Sequence, residues 1–337
     1  MPRQPRSSAP LGAPTADTAA AVEQTAVGPR EQSLGEQLRA GQLLVAVTGG
    51  PDTAAPVTVA HALEHRYATT VSAIQVMDIS GAALPTPLPS AFALARKLIG
   101  DEPYEADVRA RRDQFAEVLG VRKEWPVTIA LGTPATEILR HAEAHGAALI
   151  VMGLRHHGTV DRLLNDETTL SVARRAHAPV FAVVPEMRGL PRRAVVGVDF
   201  GPASIRAARA ALDVLARPVN RGSALLRLVY VDRSGGDGAR EGSSGERLII
   251  RLGVKAAFEQ LIRELDVPAE VHVDSTMLYG EPSVELLAFA TESEADLIAV
   301  GSQRHDRVER WILGSVTTEI VRDGRCSVLV IPPPHDG

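Results

Sequence analysis

One cysteine, Cys326, is all that the 337 residues contain. No disulfide can form within the chain, and a reducing compartment is the simpler expectation. Aromatic residues are scarce at 4%, against 45% apolar residues in all, so the core must be aliphatic, mainly Val, Leu, Ile and Ala. There is no basic excess. The formal net charge is −5, which removes the electrostatic case for nucleic acid or an anionic membrane as partner. No apolar run approaches the roughly 18–20 residues of a membrane span. The opening stretch, rich in Pro, Ala and small polar residues, lacks the apolar segment of a secretory signal. It cannot bury much, so residues 1–38 are expected to form a disordered tail and the protein to be cytoplasmic.

What the chain does have is the same unit twice. "IALGTPATEILRHAEAHGAALIVMGLRHHGTVDRLLNDETT" from Ile129 aligns without a gap on "MLYGEPSVELLAFATESEADLIAVGSQRHDRVERWILGSVTT" from Met277, at an offset of 148. Gly132, Pro134, Glu137, Gly153, His157 and Thr169 fall on Gly280, Pro282, Glu285, Gly301, His305 and Thr317. A match of this length across two glycines and a proline marks a duplicated domain. The copies are read as residues 39–186 and 192–333, joined by the linker "PEMRGLPRR", Pro185 to Arg193.

Each copy alternates strand and helix signals. Leu43–Val47, Thr70–Met77, Pro126–Leu131, Ala148–Met152 and Val180–Val184 read as strands in the first. Ala194–Val198, Ala224–Val231, Glu270–Thr276, Leu297–Val300 and Val328–Ile331 take those places in the second. These short, continuous, β-branched runs suit strands buried on both faces. With amphipathic segments between them they predict an α/β fold of two doubly wound, five-stranded parallel sheets, Rossmann-like and repeated in tandem. Ligands in such sheets bind beyond the C-terminal strand ends, at the switch point. The last strand of each copy is an apolar edge in need of cover, so the two are expected to pack against each other. Two loops, 78–103 and 232–245, are long, and the second is expected to be mobile.

The duplicated unit, with "GVDFGPAS" opening the second copy and a glycine loop ending in Gly-Ser closing it, resembles the universal stress protein family over residues 40–332. The resemblance implies a tandem member, an adenine nucleotide α-hydrolase-like fold, a domain pair packed like a homodimer and, in one branch of the family, bound ATP. The second copy is similar to that branch. Asp199 stands where the family's aspartate meets the adenosine moiety, and Val231 where an apolar residue contacts adenine. Gly301 would let the backbone approach the sugar and phosphates. Gly314, Ser315, Val316 and Thr317 would open the last helix, whose N–H groups and hydroxyls would hold phosphates. ATP is the implied cofactor, with Mg2+ as its companion ion.

Arg304 departs from the family pattern, which has glycine there. It either forces another loop path and blocks the pocket, or reaches over and pairs with phosphate oxygens, with His305 as a weak helper. The first copy reads as disabled. Thr48 stands in place of the aspartate, His156 in place of the second glycine, and Asp166-Glu167 in place of Gly-Ser. Two carboxylates repel phosphate and suit a helix N-terminus by themselves, so they are expected to cap that helix and exclude ATP from this half.

Blander readings stand beside these. Asp199 can simply end a strand and cap the next helix, and Gly314-Ser315 can be only a helix start. His156-His157 carries no metal-site spacing, and Cys326 suits a small buried hydrophobe. No Walker lysine, Ser/His/Asp order or paired carboxylates are present, so the expectation is a non-enzymatic module. An ATP-binding stress-response or signalling protein ranks first. A tandem scaffold without nucleotide ranks second, and a slow ATP hydrolase third. The expected partners are adenine nucleotide and the chain's own two halves, with further homo-oligomerisation left open.

Overall fold

The computed structural model describes residues 32–48, 53–78, 106, 109–110, 113, 125–154, 162–217, 224–233, 244–302 and 313–334. Arg304, His305, His156, His157, most of both long loops and residues 1–31 lie outside these, and with them the expectations made for them.

A short helix α1 (Leu34–Ala40) leads into the first copy: β1 (Gln42–Val47), α2 (Ala54–Tyr67), β2 (Thr70–Asp78), β3 (Val127–Gly132), α3 (Pro134–Ala144), β4 (Ala147–Gly153), α4 (Arg162–Arg175) and β5 (Val180–Val183). The second copy runs β6 (Arg193–Gly197), α5 (Pro202–Val214), β7 (Ala224–Asp232), α6 (Ser244–Glu264), β8 (Val271–Tyr279), α7 (Pro282–Glu292), β9 (Leu297–Gly301), α8 (Ser315–Asp323) and β10 (Ser327–Ile331). All ten strands read from the sequence are there.

Within each copy the strands are parallel, in the order 3-2-1-4-5. The expected two sheets do not stay separate. β5 and β10 pair antiparallel, with Val328 opposite Ala182, Leu329 opposite Phe181 and Val330 opposite Val180. The result is one sheet of ten strands, β3-β2-β1-β4-β5-β10-β9-β6-β7-β8. Every residue of β5 and β10 is buried, so pairing satisfies backbone groups that a free apolar edge would leave exposed.

Alternate strand residues feed opposite faces. Leu43, Val45, Leu149, Val151, Phe181, Val196 and Leu329 face one continuous core shared by both copies, closed by α1, α2, α5 and α6. Leu44, Ile150 and Met152 turn to the other face, under α3. Val195, Ile298, Val328 and Val330 do the same under α7 and α8.

The N-terminal boundary differs from expectation, because α1 begins within the stretch read as tail. Ser33 and Glu36 form a capping box: the Glu36 N–H donates to Ser33 Oγ at 3.2 Å, and the Ser33 N–H donates to Glu36 Oε2 at 2.7 Å. Leu34 and Leu38, four apart and on one helical face, are both buried. The Gly35 N–H donates to Asp213 Oδ2 of α5 at 2.9 Å, so the second copy caps a helix that precedes the first. From α2, the Tyr67 hydroxyl donates to the Asp213 carbonyl (2.7 Å), and Arg66 Nη1 donates to the Asp213 and Leu215 carbonyls (2.9 and 2.6 Å).

Candidate functional site

The switch point of the second copy lies between β6 and β9, which leave in opposite directions to β7 and β10. β6 pairs with β7 up to Gly197 opposite Val229, and the Val198 N–H still donates to the Val229 carbonyl at 2.8 Å. Two residues further on, Asp199 and Val231 emerge from neighbouring strand ends. Asp199 is exposed and Val231 half-buried against the core under α7 and α8.

Asp199 then turns the chain into α5. Its Oδ1 accepts the Gly201 N–H at 2.9 Å and the Ser204 hydroxyl at 2.8 Å. Ser204 Oγ in turn accepts the Asp199 N–H at 3.3 Å. Pro202 at the first helical position, with φ already set, completes the start. The residue between, Phe200, has φ 61°, a left-handed conformation that disfavours side chains. Aromatic packing holds it there: its ring stacks on Tyr230 at 5.4 Å and meets Phe258 of α6 edge-on at 5.1 Å. Burial raises the Tyr230 hydroxyl pKa, and the charges of Asp232 and Asp199 raise it further. The Asp199 end of the candidate site is thus acidic.

Gly301 ends β9. A Cβ there would lie 2.1 Å from the Ala203 carbonyl oxygen in the first turn of α5. The glycine is therefore required by the close approach of strand and helix, whatever else approaches it. The next residue, Ser302, donates its N–H to the Ile331 carbonyl at 2.8 Å, while its buried Oγ has no hydrogen-bond partner among the described residues.

The phosphate end would be the start of α8. Gly314 is its N-cap, with extended backbone (ψ 157°), and its carbonyl accepts the Thr318 N–H at 2.9 Å. A side chain on Gly314 would meet nothing within 4 Å among the described residues. Among the described residues no side chain caps this helix, so its first N–H groups lack a capping acceptor there. Ser315 is exposed and Val316 half-buried, whereas Thr317 is buried at 4% exposure. The hydroxyl presented at the helix start is therefore that of Ser315. A helix start with no side-chain cap among the described residues fits a phosphate group. Arg304 lies outside the described residues.

The first copy is built differently at each step. Thr48 follows β1 and is exposed, and its carbonyl accepts Gln75 Nε2 at 3.1 Å. Thr53, at the N-cap of α2, makes no capping bond. The expected capping by Asp166-Glu167 is corrected: α4 begins at Arg162, which puts both acids in its second turn. Without the Gly-Ser step nothing stops the helix from starting early, since Leu163 and Leu164 are good helix formers. Among the described residues, no group of three His, Cys, Asp or Glu side chains could hold a metal ion.

A family model described as the universal stress protein family matches residues 40–184 and again residues 191–332. The chain belongs to the universal stress protein family. It carries two of the family's domains in tandem. A universal stress protein of Methanocaldococcus jannaschii is 29% identical to it over 157 residues, 45% of this chain and 89% of the relative. Among solved structures, a universal stress protein of Archaeoglobus fulgidus aligns with TM-score 0.56 at 19% identity, covering 86% of this chain and 98% of its own. A Pseudomonas aeruginosa protein described as functionally unknown aligns with TM-score 0.54 at 12% identity, over 88% of this chain and 94% of its own. At such identities these structures establish the tandem fold alone.

In this universal stress protein, sequence reasoning singled out Asp199, Val231, Gly301 and Gly314 but passed over Ser204, Ser302 and Phe200. Ser204 had a visible signal: a hydroxyl five residues after an aspartate, beyond a Gly-Pro helix start. Ser302 had none, because its burial depends on β10 lying alongside.

Proposed function

We propose that the second domain binds an adenine nucleotide, ATP above all, and that the protein acts as a non-catalytic stress-response or signalling module. The observation that carries this reading is the start of α8, which no side chain among the described residues caps. Asp199 would accept hydrogen bonds from the adenosine moiety, Val231 would contact the base, and Gly314, Ser315 and the helix N–H groups would take the phosphates. Mg2+ would neutralise phosphate charge; Arg304 would either block or clamp. The first domain, with Thr48 for the aspartate and α4 started early, would bind none.

A second reading, a tandem scaffold without nucleotide, draws on two observations. Asp199 already caps α5, and Gly301 is accounted for by its contact with Ala203. Mass spectrometry of nucleotide released on denaturing the purified protein, with calorimetry against ATP, separates the two. Co-purified adenine nucleotide, or saturable heat lost in Asp199→Ala, supports binding. Neither nucleotide nor heat at millimolar ATP leaves the scaffold. Tighter binding by Arg304→Gly would identify a clash, and weaker binding a clamp. Retention of unhydrolysed ATP over hours is the expected result, and steady turnover would favour a hydrolase.

A further inference from the structure

Where the two domains meet, the linker lines a cleft of about 590 Å3. That is within the roughly 300–1,000 Å3 range of small-molecule sites. It lies at the far end of the sheet from Asp199 and Gly301. Because β5 runs antiparallel to β10, the C-terminal end of β5 at Val184 comes beside Cys326 at the start of β10, and the Val184 N–H donates to Ser327 Oγ at 3.2 Å. Arg192 and Asp296, just before β6 and β9, close the other wall. Val184, Met187 and Leu190 give the cleft an apolar lining.

Three arginines line the same space: Arg188, Arg192 and Arg325, all exposed. Arg188 Nη1 is held by the Pro185 carbonyl at 2.8 Å. The guanidinium groups of Arg192 and Arg325 have no hydrogen-bond or ion-pair partner among the described residues. Two acids are present. Asp296 is committed, since its Oδ2 accepts the N–H groups of Arg192 and Arg193 at 2.8 and 2.9 Å, with Arg193 Nη2 at 3.8 Å from Oδ1. Glu186, exposed, is the other. Three guanidinium groups against two carboxylates leave the lining with a small positive excess. Cys326 contributes bulk and no reactivity, for burial and the Asp296 charge push its thiol up to about 12.

We propose that this inter-domain cleft binds a small phosphate monoester with an apolar body, its dianionic head taken by Arg192, Arg325 and Arg188 and its body by Val184, Met187 and Leu190. A phosphate fits this set better than a carboxylate does. A carboxylate saturates on one or two guanidinium forks, whereas three phosphate oxygens can engage three. The site shares no residue with the proposed nucleotide site and does not depend on it.

Calorimetry of the full chain with phenyl phosphate tests this, with inorganic phosphate and phenol as controls. The expected result is saturable binding of phenyl phosphate, and roughly tenfold weaker binding in each of Arg192→Ala and Arg325→Ala, one charge-assisted contact apiece. Both side chains are exposed, so circular dichroism should show unaltered folding. Asp199→Ala should bind phenyl phosphate as the parent does, which keeps this outcome separate from the fate of ATP binding. No saturable heat at about 10 mM overturns the proposal. So does binding that survives both arginine substitutions, binding lost in Asp199→Ala, or phenol or phosphate binding as tightly as phenyl phosphate.

Discussion

Gly301 and Asp199 each answer to two masters. Gly301→Ala would drive a methyl group to 2.1 Å from the Ala203 carbonyl, a backbone atom that cannot swing aside. Loss of about 2–3 kcal/mol in urea unfolding is expected with or without nucleotide, and an unchanged midpoint would refute the close approach. At Asp199 the two roles separate by substitution. Asp199→Asn keeps an acceptor for the Gly201 N–H and the Ser204 hydroxyl, so stability should hold while nucleotide affinity changes. Asp199→Ala should lose about 1 kcal/mol of stability as well, the usual cost of a missing cap. Cys326 makes a prediction in pH. Its folded pKa is raised from 9.0 to about 12, chiefly by burial, so the native state holds a proton that the unfolded state releases. Its stabilising contribution is complete below 9.0 and is lost as pH rises from there to about 12. Unfolding midpoints should fall across that window, less steeply in Cys326→Ala. The buried hydroxyls of Tyr67 and Tyr230, also raised, add to the fall.

Three helix starts distinguish the elements of this fold. α1 was hidden by its neighbourhood: a Pro- and Ala-rich stretch read as tail, although Ser33-x-x-Glu36 is a capping-box pattern with Leu34 and Leu38 on one face. Its docking on α5 is what no local signal could give, since Asp213 lies 178 residues from Gly35. Leu38→Ala should cost about 2–4 kcal/mol, as for a fully buried leucine, and a cost near zero would mean that the helix does not dock in solution. α4 and α8 are counterparts with different beginnings. The Gly-Ser step places the start of α8 at Ser315, while its absence lets α4 begin at Arg162, five residues before the equivalent position. Pro134 and Pro282, matched in the repeat, open α3 and α7, each two residues after a glycine at positive φ, Gly132 at 151° and Gly280 at 142°.

At the scale of the molecule, β5 and β10 turn two sheets into one. Contacts from Arg66 and Tyr67 to the end of α5 add a second bond between the halves, off the sheet. Expressed alone, residues 39–186 or 192–333 would each expose a wholly buried strand edge. Each half should therefore dimerise or aggregate, read by light scattering after size exclusion, and a soluble monomer of either half would contradict the role given to this seam.

Duplication, the ten strands and the choice of terminal strands for the seam followed from the sequence, while the order 3-2-1-4-5 within each copy came from the structure. Continuous apolar runs and an ungapped repeat report on burial and ancestry, both of which are written locally. The pairing of Asp199 with Ser204, the pressure of Ala203 on Gly301, the burial of Ser302 and the arginine cleft were decided only in three dimensions. Each depends on which strand or helix comes to lie beside a residue, and that proximity is set by packing across more than one element.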